Sequence, residues 1–250
     1  MREVMIQTKN LQKSFEGNEV LRNVTLEIAQ GEFAAVMGQS GCGKSTLLYC
    51  ISGMDQPSGG EVLFQGRSLS GLSEKEMERV RLEHMGFIFQ RANFLKNLSI
   101  EDNIVFPAFQ AGLRPRAEIV KEAEALMERM GILSVASQDI RTVSGGQLQR
   151  AAICRAMMNH PEMLFADEPT GALNSSATRE VMDILGQIHR EGTTFFLVTH
   201  DAKVAARADR VIYLEDGSIR EELLLGRYEE KERQMRESKM AEWLLSLIHI

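Results

Sequence analysis

The residues with the clearest chemistry form a glycine-rich run, GQSGCGKST, from Gly38 to Thr46. It follows the apolar segment FAAVM and precedes a predicted helix, which is the context of a phosphate-binding loop. Glycines let the backbone amides turn toward phosphate oxygens, and the helix N-terminus adds partial positive charge. Lys44 supplies a full charge toward the β- and γ-phosphates, and the Ser45 hydroxyl can bind Mg²⁺. This loop predicts nucleotide binding but leaves kinases, GTPases and motor ATPases open.

Two further segments carry groups suited to phosphate chemistry. Asp167 and Glu168 end an apolar strand predicted from Met163 to Ala166. A strand-end Asp can hold the hydration shell of Mg²⁺, and an adjacent Glu can polarise an attacking water. The run VSGGQLQR, from Val143 to Arg150, is a Ser-Gly-Gly turn that leads into a predicted helix and forms a second backbone cradle for phosphate.

With these motifs in this order, the sequence resembles the ATP-binding-cassette (ABC) ATPases from about Thr8 to Ile219. The glycine-rich loop and the acidic pair match the two Walker motifs, and VSGGQ matches the LSGGQ signature with Val143 in place of Leu. Gln90, in FIFQ, matches the Q-loop glutamine, and His200, in LVTH, matches the switch histidine. Phe15 lies where an aromatic residue usually stacks on adenine.

The resemblance implies ATP and Mg²⁺ as cofactors. The implied catalytic residues are Glu168, which activates water, His200, Lys44 and Gln90. The implied magnesium ligands are Ser45, Gln90 and Asp167. The residues implied to contact ATP are Phe15, Gly38, Ser40, Gly41, Cys42, Gly43, Lys44, Ser45, Thr46, Ser144, Gly145, Gly146 and Gln147.

Two departures from the family pattern are visible. The segment after Glu168 reads GALN where the family usually has SALD, so Asn174 replaces an Asp that bridges subunits. Asparagine keeps a hydrogen-bonding side chain and loses the charge of that contact. Phe15 replaces the commoner Tyr, which keeps the stacking surface and removes a hydroxyl.

The other histidines and cysteines lie outside these roles. His84, His160 and His189 belong to no motif and are predicted to lie on the surface. Cys50 and Cys154 are predicted to pack within helices. Cys42 is interpreted as a small side chain of the loop, where alkylation should obstruct nucleotide.

Short strands alternate with helices in the segments that must position these residues. Strands are predicted at Val4 to Thr8, Val20 to Ile28, Glu32 to Met37, Glu61 to Phe64, Met85 to Phe89, Met163 to Ala166, Thr194 to Thr199 and Val211 to Leu214. Helices are predicted at Lys44 to Ser52, Glu74 to His84, Ala117 to Met130, Ser144 to Met158, Ser175 to Arg190 and Ala202 to Ala208. The alternation indicates a parallel α/β sheet.

The predicted fold is therefore α/β, a P-loop NTPase of the ABC type. The resemblance implies a RecA-like parallel-sheet core, an N-terminal antiparallel β subdomain and an α-helical subdomain inserted at about 92–158. Residues 1–225 are predicted to form the ATPase domain, and 226–250 a charged helical tail. The last six residues, Leu245 to Ile250, resemble an in-frame translation of a transposon end used in preparing sequencing libraries, and we expect them to be non-native.

Composition excludes several classes of protein. The 250 residues include 29 basic and 35 acidic side chains, and this net charge of −6 disfavours binding to nucleic acid. No apolar run reaches the roughly 18–20 residues that cross a bilayer, and the first residues lack the apolar core of a signal peptide. Three cysteines are too few for a disulfide framework. We expect a cytoplasmic protein, and the resemblance implies that it is peripheral on the inner face of the cell membrane through a permease.

The resemblance also implies partners. In the family, two copies pack head to tail, with each ATP between residues 38–46 of one copy and 144–147 of the other. A separate integral-membrane permease would dock near Gln90 to Phe109. FIFQRANFL and ADEPTGALNS most resemble the ATPases of macrolide exporters, lipoprotein-release systems and bacitracin-type peptide-resistance transporters. GALNS and the C-terminal helix with Trp243 favour the peptide-resistance branch.

The predicted function is ATP hydrolysis that powers a permease for export of, or resistance to, peptide antibiotics or other amphiphilic substrates. Two alternatives stay open, a non-transport membrane complex that regulates cell-wall hydrolysis or division, and a lipoprotein-release system. A soluble ABC ATPase of DNA repair or translation is disfavoured. The chain has no coiled-coil or zinc-cysteine insertion and no tandem cassette, and it is acidic.

Overall fold

The computed structural model describes residues 3–248, with the backbone alone at residue 248. The strands are β1 (Val4–Phe15), β2 (Asn18–Ala29), β3 (Phe33–Met37), β4 (Gly59–Phe64), β5 (Arg67–Ser68), β6 (Met85–Phe89), β7 (Met163–Asp167), β8 (Thr194–Val198), β9 (Arg210–Glu215) and β10 (Ser218–Leu224). The α-helices are α1 (Lys44–Ile51), α2 (Glu74–His84), α3 (Ile100–Ala111), α4 (Arg116–Arg129), α5 (Gly145–Met157), α6 (Ser175–Arg190), α7 (Ala202–Ala205) and α8 (Arg233–Ile248).

These elements form two compact units. The first unit joins Met1–Leu72 to Ile188–Ile250, and the second consists of Ser73–Gln187. Within residues 3–248, no helix is long and apolar enough to span a bilayer.

In the first unit, an antiparallel sheet has the strand order β2-β1-β4-β5. Its longest pairing joins β1 to β2, and β1 continues well beyond the predicted end at Thr8. A register shift lies between Thr8 and Leu11, where Asn10 has a left-handed φ of 48°. Such a bulge interrupts the alternation of apolar and polar residues, so the pattern does not reveal the second half of the strand.

The parallel strands of the first unit centre on β3, which pairs with β8 on one side and β9 on the other. Every residue of β3 and β8 is buried. Continuous apolar runs of this kind are typical of strands covered on both faces. Parallel pairing brings the carboxyl ends of β3 and β8 to one edge, so the glycine-rich loop and His200 leave the sheet side by side.

Strand β10 pairs antiparallel with β9 at the border of this sheet and was missed by the sequence prediction. Its sequence, SIREELL, is mostly polar, and no residue of it is buried. An edge strand exposed in this way lacks the apolar periodicity that marks a core strand.

In the second unit, β6 and β7 pair in parallel, and Phe89 lies opposite Asp167. Helices α2, α3, α4 and α5 also belong to this unit, and α3 was not predicted. Ser99 and Asp102 form a reciprocal capping box at its start: Ser99 Oγ accepts from the Asp102 amide at 3.0 Å, and Asp102 Oδ2 accepts from the Ser99 amide at 3.3 Å. Pro107 lies inside the helix and weakens the helical signal of its sequence.

Helix α8 is attached to the first unit by a buried arginine. Arg236 is only 1% exposed, and its guanidinium donates to the carbonyls of Ala206 at 2.8 Å, Gly226 at 3.0 Å and Leu225 at 3.1 Å. Residues 245–248 continue this helix, whereas 249 and 250, which belong to the expected non-native segment, lie outside the described residues.

The prediction that His189 lies on the surface is wrong. Its side chain is buried at 3% exposure, with Nε2 3.1 Å from the Gly31 carbonyl and 3.2 Å from Asp209 Oδ2. Since both neighbours are acceptors, Nε2 carries the proton. The residue ends an apolar helix face and packs edge-on against Phe33. The side chain of His160 is 66% exposed and that of His84 is 41% exposed.

Candidate functional site

The glycine-rich loop closes tightly between β3 and α1, and three of its glycines have left-handed φ values. They are Gly38 at 150°, Gly41 at 80° and Gly43 at 103°. A Cβ on Gly38 would lie 2.1 Å from the Leu214 carbonyl oxygen, so a side chain cannot be accommodated there. These constraints hold the loop in one turn whose end is the start of α1, where backbone amides point out of the helix.

Lys44 lies at the first position of α1 and its side chain turns back over the loop. Its Nζ donates to the carbonyl oxygens of Gly38 at 2.9 Å and Gln39 at 2.7 Å. The ammonium is therefore held directly above the turn, where phosphate oxygens would meet it. Cys42 Sγ lies 3.9 Å from the same Nζ. Burial raises the pKa of the Cys42 thiol, and the charge of Lys44 acts in the opposite direction.

Phe15 ends β1 beside the tight turn that leads to β2. Phe15 is 46% exposed, and Lys13 Nζ lies 4.6 Å from the centroid of its ring. Lys13 is itself fixed by Asp55 Oδ1 at 2.7 Å. Further along β2, Leu21 approaches the place that a Cβ on Gly43 would occupy. An exposed aromatic surface thus lies on a hairpin that packs against the glycine-rich loop, as an adenine-stacking residue requires.

His200 follows β8 and is exposed at the edge where β3 also ends. The amide of the preceding Thr199 donates to the Val36 carbonyl at 3.1 Å, which extends the β3–β8 ladder to this point. Asp201 then caps α7, since its Oδ1 accepts from the Lys203 amide at 2.8 Å. The histidine is therefore positioned between a strand end and a capped helix.

The second unit brings Gln90 and the acidic pair together. In the parallel β6–β7 pair, Phe89 lies opposite Asp167, so Gln90 and Glu168 are the next residues at the same sheet edge. Glu168 has a left-handed φ of 49°, an uncommon conformation for a non-glycine residue and one often found at functional sites. Asp167 and Glu168 are partly accessible at this edge.

The side chain of Gln90 lies against Gly171, three residues after Glu168. A Cβ added to Gly171 would be 2.7 Å from Gln90 Nε2 and 3.2 Å from Cδ. The amide therefore occupies the space that any side chain at this position would need. Sequence reasoning noted that the segment departs from SALD but missed this contact, because it depends on the pairing of two distant strands.

The signature turn VSGGQ begins α5 within the second unit. Ser144 caps the helix, with its Oγ accepting from the Gln147 amide at 3.3 Å, and its own amide donates to Gln147 Oε1 at 2.8 Å. This reciprocal capping box fixes the two residues that flank the glycines. Gly145 and Gly146 lie against the segment that follows Glu168. A Cβ added to Gly145 would lie 3.7 Å from Leu173, and one added to Gly146 would lie 3.4 Å from Ala177.

Comparison with known proteins identifies the family of this chain. The family model described as ABC transporter matches residues 21–171, which is more than half of the sequence. The chain belongs to the ABC transporter family. These matches confirm that the chain is an ABC-type ATPase with the predicted α/β P-loop fold, and they confirm the predicted relation to macrolide-exporter ATPases.

Two curated relatives show the degree of similarity. The cassette is 44% identical over 223 residues to the macrolide export ATP-binding/permease protein MacB 1 of Aeromonas hydrophila, a match that covers 88% of this chain and 34% of that protein. It is 42% identical over 224 residues to the pyoverdine export ATP-binding/permease protein PvdT of Pseudomonas fluorescens, a match that covers 88% of this chain and 34% of that protein. The cassette thus spans about a third of the length of the curated relatives it matches.

Solved structures give the same fold. The ATP-binding cassette MJ0796, solved as a dimer in a post-hydrolysis state bound to ADP and Pi, has a TM-score of 0.83 and 34% identity, covering 90% of this chain and 100% of that one. The structure of cbiO1 from Clostridium perfringens, part of the ABC transporter complex cbiONQ, has a TM-score of 0.81 at 26% identity, with 99% and 100% coverage.

Proposed function

We propose that this ABC cassette binds ATP on its glycine-rich loop and hydrolyses it to power a membrane permease. The observation that carries the proposal is the loop itself. Lys44 Nζ is held over the Gly38 and Gln39 carbonyls, at the N-terminus of helix α1. A triphosphate there meets a full positive charge, backbone donors and a helix N-terminus at once.

Each predicted site residue receives a role in this proposal. Phe15 stacks on adenine, and Glu168 accepts a proton from the attacking water. Gln90 orients the reacting groups, and His200 contacts the γ-phosphate. The other proposed nucleotide contacts are the loop residues Gly38, Ser40, Gly41, Cys42, Gly43, Lys44, Ser45 and Thr46, and the signature residues Ser144, Gly145, Gly146 and Gln147.

Mg²⁺ fits the donors that the sequence offers for it. Ser45, Gln90 and Asp167 provide a hydroxyl, an amide oxygen and a carboxylate, which are the oxygen ligands that Mg²⁺ prefers. Among residues 3–248, no cluster of three or more His, Cys, Asp or Glu side chains could hold a metal by itself. The ion would therefore arrive with the nucleotide, and when bound it neutralises charge on the β- and γ-phosphates.

The working unit that we propose is a head-to-tail dimer on a permease. The signature residues 144–147 of one copy would close over the nucleotide held by residues 38–46 of the other. The permease would dock near Gln90 to Phe109, and the complex would lie at the cytoplasmic face of the membrane. Residues 1–225 would form the ATPase domain, and 226–250 its helical tail.

The most specific part of the proposal is the class of compound that the permease exports. The names of the relatives, macrolide export and pyoverdine export, support the export of amphiphilic compounds. The GALNS segment and the helix with Trp243 favour a role in resistance to peptide antibiotics.

Replacing Glu168 with Gln tests the hydrolytic part. We expect Glu168→Gln to bind ATP, to accumulate as a dimer and to lose turnover by roughly 10²–10⁴-fold, the contribution of a general base. Phosphate release and size-exclusion chromatography with ATP measure the two effects. Glu162→Gln is a matched control, because it removes a carboxylate paired with His84 in the same unit. Parental hydrolysis rates in Glu168→Gln would refute the proposal.

Recovery of a permease tests the transport part. The Glu168→Gln protein, trapped with ATP in membranes and purified gently, should carry a permease with a large extracytoplasmic domain, identified by mass spectrometry. Recovery of soluble partners or nucleic acid instead would refute transport and leave the ATPase intact.

A further inference from the structure

The segment that contains Gln90 is fastened to α5 at both of its ends. We call Phe89–Phe94 the Gln90 segment. At its start, Gln149 Nε2 donates to the Phe89 carbonyl at 3.3 Å. Near its end, Arg155 donates from Nη2 to the Ala92 carbonyl at 2.5 Å and from Nη1 to the Asn93 carbonyl at 3.3 Å.

Arg155 also covers the last side chain of the segment. Its guanidinium carbon lies 4.6 Å from the centroid of the Phe94 ring. Asn93, whose carbonyl accepts one of these hydrogen bonds, has a left-handed φ of 46°, so the backbone turns sharply at the point where the arginine holds it. One planar group thus donates to two successive carbonyls and packs on the adjacent aromatic ring.

These contacts need the chemistry of arginine. Its planar fork can donate in two directions while its face packs on a ring, whereas lysine presents a compact ammonium. Burial lowers the pKa of Arg155 to about 10, and the group stays protonated at neutral pH. The half-buried charge is therefore balanced by carbonyl dipoles and by the ring.

We infer that Arg155 is a positioning residue that makes the Gln90 segment and the signature helix α5 move as one body. The inference rests on the proposed function, because Arg155 can affect ATP hydrolysis only if Gln90 and the signature residues at the start of α5 have the roles proposed above. A permease that displaced Phe94 would pull on Arg155, in the last turn of α5, and so move the signature turn at the other end of the helix.

The test compares two Arg–Phe contacts of equal length. Arg155→Met removes the fork and keeps a long apolar side chain, and Arg155→Lys keeps the charge alone. Arg116→Met is the matched control, because the Arg116 guanidinium carbon also lies 4.6 Å from a ring centroid, that of Phe109. Phe94→Leu, which removes only the ring, supplies the same comparison where Arg155→Met does not give folded protein.

The first readout is hydrogen–deuterium exchange without nucleotide. We expect roughly tenfold faster exchange of the Leu95 amide, which directly follows the segment and donates to Asn103 Oδ1 at 2.7 Å, in Arg155→Met, and partial recovery in Arg155→Lys. Arg116→Met should leave this amide at the parental rate. Unchanged exchange of the Leu95 amide in Arg155→Met would overturn the inference, and this result does not depend on whether the protein hydrolyses ATP.

The second readout is ATP turnover in a double-mutant cycle with Gln90→Ala. If Arg155 acts by placing Gln90, each single variant lowers kcat by roughly tenfold and the double variant falls no further than Gln90→Ala. Losses that multiply would show that Arg155 acts elsewhere and would overturn its assignment. Failure of the proposed function is distinguishable, since it would be seen as absent ATP hydrolysis in the parental protein.

Discussion

Replacing Gly171 with alanine should displace Gln90 without unfolding the protein. The added Cβ would lie 2.7 Å from Gln90 Nε2, whereas ordinary van der Waals contact begins at 3.4 Å, so the amide must retreat by about 0.7 Å. The backbone of Gly171 lies outside the left-handed region, so alanine is compatible with it. The obstructing atoms end a flexible, exposed side chain, and we expect a loss of stability below about 1 kcal/mol.

The effect on turnover should be much larger than the effect on stability. A misplacement approaching 1 Å of a positioning group can cost up to about 10²-fold in rate, so we expect kcat to fall by roughly 10–100-fold. The affinity for ATP measured without Mg²⁺ should stay at the parental value, because neither Gly171 nor Gln90 is among the proposed nucleotide contacts. The Mg²⁺ concentration that gives half the maximal rate should rise.

Steady-state ATPase assays with varied Mg²⁺ measure these quantities, and thermal unfolding verifies the fold. Ala172→Ser is the matched control, since it adds one heavy atom to the exposed neighbouring residue. In a Gln90→Ala background, Gly171→Ala should have no further effect. Parental kcat in a folded Gly171→Ala protein would refute the assigned link between Gly171 and Gln90.

Three other features yield measurable predictions. Arg236→Met should lower the free energy of unfolding by roughly 3–5 kcal/mol in urea titrations, because the buried carbonyls of Ala206 and Ala208 lose a charged donor. Burial raises the pKa of Asp209, but hydrogen bonds, led by that from His189, lower it overall. The ionised carboxylate therefore stabilises the folded protein above the unfolded pKa of roughly 3.9, and this contribution is lost as the pH falls through the lower folded value. Asp209→Asn should flatten that acid dependence of the melting temperature. Iodoacetamide should label Cys42 slowly at pH 7 and faster at higher pH, with protection by ATP, while Cys154, whose pKa burial raises to about 12, stays unlabelled in mass spectra.

Each of these predictions has a clear contrary result. A parental unfolding midpoint for Arg236→Met would mean that the guanidinium contributes no net stability. An acid dependence that survives Asp209→Asn would have to come from other carboxylates. Labelling of Cys154 ahead of Cys42 in the folded protein would contradict their burial, since Cys154 is 0% exposed and Cys42 is 9% exposed.

The sequence was informative where function depends on neighbours in the chain. The glycine-rich loop is contiguous from Gly38 to Thr46, and its left-handed glycines were legible as a motif because only glycine adopts such turns freely. Strands β3 and β8 could be predicted because all their residues except Thr194 are apolar. The boundaries of α2 and α6 were also predicted correctly, since charged and apolar residues alternate there with helical spacing.

Prediction failed where position depends on contacts between distant segments. The approach of Gln90 to Gly171 follows from the pairing of β6 with β7, which no local pattern contains. His189 looked like a surface residue because its burial depends on Asp209 and the Gly31 carbonyl, both far away in the chain. Helix α3 was missed although its capping box, Ser99 to Asp102, is visible in the sequence.

The first unit consists of two separate stretches of the chain, and this affects how the chain folds as it is made. Strand β3 pairs with β8, so Phe33 cannot reach its native pairing until Phe195 has been synthesised. At translation rates of 5–20 residues per second, the roughly 160 intervening residues take about 8–30 s. During that interval the nascent chain carries five consecutive apolar residues, FAAVM, with no strand to pair with, while the whole of the second unit is still being made. Nascent chains of this cassette should therefore need holdase protection of one short strand, and slowing translation should lengthen that need.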